Sequence, residues 1–222
     1  MKKFLIWILV FILSAGACMA ENEANSGNPE DYRRILDLYL AGLAGDEDVL
    51  EGNEFNFSAY ICCQTSELDP FESVGYTLLD LDADGIRELV IADATEEQLL
   101  EGIVFDVWTL RDGEPVPVIQ GWERNRLYLT APDAEGRWGY YQEGSSSAFE
   151  SSWSIGTFAD GAAVLLHALE YNEEAASVWT LDGEPADEQA VNEALTTWPA
   201  DAVQTELTPF SSLRGENSSF AY

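Results

Sequence analysis

The segment Asp80-Leu81-Asp82-Ala83-Asp84-Gly85-Ile86-Arg87-Glu88 sets four carboxylates at alternate or near-alternate positions around a glycine that permits a sharp turn. Such a spacing suits a hard cation. Calcium takes about six to eight oxygens, and a tightly wound loop aims its odd-numbered positions inward. Asp80, Asp82 and Asp84 then supply side-chain oxygens, Ile86 supplies its backbone carbonyl, and Glu88 closes the site directly or through water. Carboxylates about 4 Å apart repel by on the order of 4 kcal/mol at an effective dielectric of about 20, and a divalent cation turns that repulsion into attraction. An EF-hand would carry an aliphatic residue and then a bidentate Glu where Arg87 and Ile91 stand, so this is not an EF-hand. An acidic turn can also be merely well solvated, but three alternating Asp followed by Gly and an apolar strand are more specific than composition predicts.

Other reactive side chains give weaker patterns. His167 is the only histidine, and the run Gly144-Ser145-Ser146-Ser147 lacks the nucleophile-elbow spacing of a serine hydrolase, so His167 reads as a structural or surface strand residue. One histidine and the adjacent pair Cys62 and Cys63 lack zinc-ligand spacing. Asp106 and Glu170 are candidates for a carboxylate pair acting on a glycoside, although in a chain with 41 acidic residues such pairs arise by chance. Trp108, Trp122, Trp138, Trp153, Trp179 and Trp198 are expected mainly in the core, with a sugar or peptide platform as the alternative. Arg124 and Arg126 share parity on an extended segment and suit either internal ion pairs or an anionic ligand.

The elements that must position these groups read as α+β. Before the acidic loop Val74, Tyr76 and Leu78 alternate with Gly75, Thr77 and Leu79, and Leu89-Val90-Ile91-Ala92 follows it, which predicts strand, loop, strand. Further strands are expected over 103–110, 116–121, 126–130, 138–142, 152–158, 162–171 and 177–181, separated by turns at Arg111-Asp112-Gly113-Glu114, 132–136 and Ala159-Asp160-Gly161. Asn28-Pro29-Glu30-Asp31 opens a helix that carries Tyr32, Ile35, Leu36, Tyr39, Leu40 and Leu43 and stops at Gly45. Residues 185–198 predict a late helix with Ala190, Val191, Ala194, Leu195 and Trp198 on one stripe. Residues 46–73 read as acidic and irregular, with one short apolar element over 57–63. The expected fold is a twisted antiparallel β-meander sheet of six or seven strands with the N-terminal and late helices packed on it.

Lys2, Lys3, the apolar run Phe4 to Leu13 and the small residues up to Ala20 form a signal peptide, too short in its apolar core for a membrane span. Two processing routes fit: lipidation of Cys18 after Ala15-Gly16-Ala17, and ordinary cleavage after Ala20. The organisation is thus a leader over 1–20, or 1–17 if Cys18 is lipidated, a polar tether over 21–28, one domain over 29–213 and a loose tail over 214–222. The formal charge is −31, and losing the leader removes both lysines and no acid. Such a surface excludes phosphate-backbone binding and polybasic docking on lipid, leaving the N-terminal lipid as the route to a membrane. Cys62 and Cys63 suit a buried thiol pair, with a vicinal disulfide or an intermolecular link as alternatives.

Residues 76–91 resemble the Asp-x-Asp-x-Asp-Gly-x-x-(Asp/Glu)-Leu loops of integrin-type propeller repeats, and also uncharacterised exported bacterial lipoproteins and secreted proteins that carry one such loop. The resemblance implies calcium on Asp80, Asp82, Asp84 and Glu88. It does not imply the propeller, which needs several copies at a regular period where this chain has one. The resulting expectation is a noncatalytic, exported cell-envelope protein with a structural calcium loop, acting as a binding module for an unidentified envelope or extracellular partner. The alternative is a secreted, glycosidase-like hydrolase using paired carboxylates.

Overall fold

The computed structural model describes residues 27–52, 54–65, 69–95, 102–121, 124–175 and 177–214, without the side chains of Cys62 and Thr65. The leader, Cys18, Trp122 and most of the tether and tail lie outside the described residues.

Asn28 opens the domain as expected, but the first turn, Pro29–Tyr32, is 3-10, and the helix α1 proper runs Arg33–Leu43. Its apolar face buries Ile35, Leu36, Tyr39 and Leu43, each fully buried side chain contributing about 1.5–3 kcal/mol. Gly45, at φ +85°, ends it. The segment 46–73, read as mostly irregular, is instead largely helical, with α2 (Glu47–Leu50), α3 (Phe57–Thr65) and α4 (Pro70–Ser73). Two caps explain this: the Asp46 carboxylate accepts from Asp48 N and Val49 N, and that of Asp69 accepts from Phe71 N just ahead of Pro70.

Among the described residues the sheet has eleven strands rather than six or seven: β1 (Val74–Leu79), β2 (Glu88–Asp93), β3 (Val104–Arg111), β4 (Glu114–Gln120), β5 (Asn125–Thr130), β6 (Gly139–Gly144), β7 (Glu150–Ala159), β8 (Ala162–Asn172), β9 (Trp179–Leu181), β10 (Glu184–Pro185) and β11 (Thr208–Pro209). Two-residue strands such as β10 and β11 are too short to show any alternation. The spatial order is β10-β9-β8-β7-β6-β5-β3-β2-β1-β11, with β4 also on β3, and every pairing is antiparallel. The hairpins β3–β4, β7–β8 and β9–β10 turn on Asp112-Gly113, Asp160-Gly161 and Asp182-Gly183, all at positive φ, which gives the type I′ twist that matches paired strands. The late helix α5 is Glu188–Thr197, shorter than expected because Pro185 belongs to β10 and Asp187 caps the helix through Ala190 N.

Cross-strand partners share a face, so the register can be followed across the sheet. Leu89 opposite Trp108 faces α1, and the row Glu143, Trp153, Leu169, Leu181 lies on that same face under α5. The other face carries Val90, Val107, Val104, Leu127, Leu129 and Tyr140, with no helix above it among the described residues. It is buried because the sheet rolls up, so that Phe158 of β7 and Ala163 of β8 pack into the cluster that holds Val107 and Val118. Among the described residues no helix is long and apolar enough to cross a membrane.

Between α1 and the sheet lies one buried polar knot. Asp106 is 0 % exposed and accepts from Tyr39 Oη, from Asn56 Nδ2 at 3.2 Å and from Gln120 Nε2 at 2.9 Å. Asn56 Nδ2 also donates to the carbonyls of Phe105 at 2.7 Å and Gly121 at 2.6 Å, tying α3 to the start of β3. Asn56→Ala removes one buried donor from each of these acceptors and is expected to cost about 2–3 kcal/mol in urea unfolding; an unchanged midpoint would show that the knot carries no stability.

Candidate metal centre

The acidic loop joins β1 to β2, and its tip is built by left-handed backbone. Ala83 (φ 62°) and Gly85 (φ 91°) reverse the chain, which at Ala83 costs roughly 1–2 kcal/mol. Backbone N–H groups of the turn point at its own carboxylates: Asp84 N donates to Asp80 Oδ1 at 3.1 Å and to Asp82 Oδ1 at 3.3 Å, Gly85 N to Asp80 Oδ2 at 3.0 Å, and Ile86 N to Asp84 Oδ1 at 2.7 Å. Asp80, Asp82 and Glu88 each offer a ligand oxygen within 4.8 Å of the others'. Asp84 is on the same turn but outside that group, and its Oδ1 accepts from Ile86 N.

Three distant segments hold this loop in shape. On the α1 side, Tyr32 Oη donates to the Arg87 carbonyl at 2.8 Å and Arg87 Nη2 to Asn28 Oδ1 at 2.8 Å. Gly27 lies so close that an added Cβ would fall 2.1 Å from the Arg87 carbonyl oxygen, which leaves room for glycine alone. From the rolled-over sheet, Gly161 N, in the β7–β8 turn, donates to Asp82 Oδ2 at 2.6 Å, and Trp138 N to the Leu81 carbonyl at 2.7 Å. Ahead of Trp138, the backbone N–H of Arg137, with that of Glu135 and the Arg137 guanidinium at 2.9 Å, holds the Asp133 carboxyl below its ordinary range.

Glu88 forms the floor. It is 2 % exposed, with Oε2 accepting from Leu81 N at 2.8 Å and Oε1 from Thr109 Oγ1 at 2.9 Å. Burial pushes its carboxyl up from 4.5 to about 7; the two hydrogen bonds oppose the rise and the Asp82 and Asp84 charges add to it. Asp84 is raised too, chiefly by burial, with Asp82 and Asp80 adding to the effect. Each of the six oxygens of Asp80, Asp82 and Glu88 accepts one donor, and a carboxylate oxygen has two lone pairs, so each retains one for a cation. This all-oxygen set, triply anionic once Glu88 is deprotonated, fits calcium.

The remaining candidates separate. Asp106 and Glu170 lie on opposite faces of the sheet: Asp106 is sealed under α1, where burial raises its carboxyl against the three hydrogen bonds it accepts, and Glu170 is exposed on β8 beside Thr180. They do not form a catalytic pair. His167 is exposed and meets Asp182 at 2.8 Å. Cys63 is a buried free thiol, pushed up to about 12 chiefly by burial, and the side chain of Cys62 lies outside the described residues. Sequence reasoning missed Thr109, Tyr32 and the Gly161 N–H. The Asp-Gly turn at 160–161 is legible, but its approach to a residue 79 positions earlier is not.

The chain matches no family model, no curated protein and no solved structure.

The raised Glu88 carboxyl sets a pH dependence. In metal-free protein the native state binds a proton that the unfolded chain releases between pH 4.5 and about 7. Its contribution is therefore present below 4.5 and lost as pH rises through that window, by on the order of 3 kcal/mol. Urea unfolding in chelator is expected to weaken across this range in the native chain and to weaken much less in Glu88→Gln; parallel profiles would refute the assignment.

Proposed function

We propose that this chain is a noncatalytic, exported cell-envelope protein in which the loop Asp80–Glu88 holds one structural calcium ion and the rolled sheet serves as a binding module. The observation that carries the reading is the convergence of Asp80, Asp82 and Glu88 oxygens within 4.8 Å of one another on a loop braced from both sides. Calcium neutralises the repulsion among these groups, and the Ile86 carbonyl and water complete its shell of oxygens. The ion stiffens the junction where α1, the β1–β2 hairpin and the β7–β8 turn meet. Extracellular calcium sites commonly bind at about 0.1–1 mM, enough outside a cell. The N-terminal leader supports export, and lipid on Cys18 with the polar tether over 21–28 would place the domain at a membrane surface.

Thermal unfolding with calcium and with chelator tests the ion. At one hundred times its dissociation constant calcium should add about 2.7 kcal/mol, and Asp80→Asn should lose most of that gain. Identical melting in both buffers would end the calcium reading. Cell fractionation tests the anchor: Cys18→Ala should move the protein from the membrane fraction to the soluble exported fraction, whereas an unchanged distribution would favour cleavage after Ala20.

A further inference from the structure

Arg124 and Arg126 stand out in a chain of formal charge −31 because both line one open cleft, of about 380 Å³, together with Glu143, Ser145 and Trp153. Among the described residues the Arg124 guanidinium has no ion pair, while Arg126 reaches Glu143 only at 3.5 Å. The cleft is part of the sheet's own lattice. Arg126 opposes Glu143, which opposes Trp153, and Ser145 N donates to the Arg124 carbonyl at 2.9 Å, fixing the chain that carries both arginines. Trp153 is backed by the stacked ring of Trp179, 5.6 Å away. Tyr128 lies on the same strand face, and its hydroxyl is buried without a hydrogen-bond partner near the charges of Glu143 and Arg126. A second cleft of about 330 Å³ shares Gly144 and Ser145 and is lined by Ser152, Tyr171 and Asn172 together with the carboxylates of Glu150 and Glu170.

Each component selects for one kind of ligand. Two guanidiniums on one face match a planar carboxylate, which they can hold by paired, charge-assisted bonds. A half-buried indole offers a flat apolar surface, and the hydroxyls and amide beyond it suit a ligand rich in hydroxyls. Arg126, Glu143 and Trp153 lie on strands already paired with one another, so between them a peptide has no backbone ladder to join. We propose that this cleft binds an acidic saccharide, with its carboxylate on Arg124 and Arg126 and its ring against Trp153. The site shares no residue with the calcium loop.

Calorimetric and tryptophan-fluorescence titration of the full chain, at fixed calcium, uses a glucuronate-containing oligosaccharide, its carboxyl-reduced counterpart and an oligoglutamate peptide. The acidic saccharide should bind, and the reduced form should bind at least roughly tenfold more weakly. Arg124→Ala should weaken binding by a similar factor with the thermal midpoint unchanged, and Arg124→Lys should restore part of it. Asp80→Asn should leave the titration intact, so failure here is distinct from failure of the calcium reading. Equal binding of the acidic and reduced saccharides, tighter binding of the peptide, or no binding of the acidic saccharide would overturn the proposal.

Discussion

Two carboxylates buried at the root of the β1–β2 hairpin, Glu88 at 2 % exposure and Asp82 at 8 %, set the constraint on which the rest of the structure depends. A charge removed from water must be met by donors or neutralised. For Glu88 the donors are Leu81 N, seven residues back, and the Thr109 hydroxyl on β3. For Asp82 one donor is Gly161 N, delivered only when the sheet has rolled far enough to bring the β7–β8 turn against the loop. Loop conformation and sheet curvature are thus two sides of one requirement.

The same junction ties the helical layer to the sheet. Tyr32 begins the buried face of α1 and ends in a hydroxyl that holds the Arg87 carbonyl, so one side chain serves the core and the loop together. Its phenol is raised, chiefly by burial, with Glu88 the first charge to contribute, which keeps it a donor at physiological pH. At the opposite end of α1, Tyr39 donates to buried Asp106, and Asn56 and Gln120 complete that knot. Two tyrosine hydroxyls on one face, Tyr32 on the Arg87 carbonyl and Tyr39 on the Asp106 carboxylate, give α1 one position on the sheet, because a slide along its axis breaks both bonds.

Rigidity at this junction connects the loop to the rest of the sheet. The strands that end at Gly161 and Trp138, β7 and β6, also carry Trp153 and Glu143 of the basic cleft. The unbroken β5–β6–β7 register joins those ends to the cleft. In an acidic molecule the two features are opposite in charge: the loop gathers carboxylates, and the cleft gathers two guanidiniums.

Much of this was legible locally. Alternation of apolar residues marks the longer strands, Asp-Gly pairs mark hairpins, and the spacing of Tyr32, Ile35, Leu36, Tyr39 and Leu43 marks the face of α1, since each reports a period or a turn conformation confined to a few neighbours. The helical character of 46–73 was also written there, in Asp46 and in Asp69-Pro70, but acidic composition masked the caps. The four acids of the loop and their turn were visible because the chemistry lies within nine consecutive residues. What only tertiary structure decided is which three of them converge, which distant donors satisfy them, and that the face opposite α1 is covered by the sheet itself. Those outcomes depend on curvature accumulated over many strands, and a contact between residues 82 and 161 leaves no periodic trace in the chain between them.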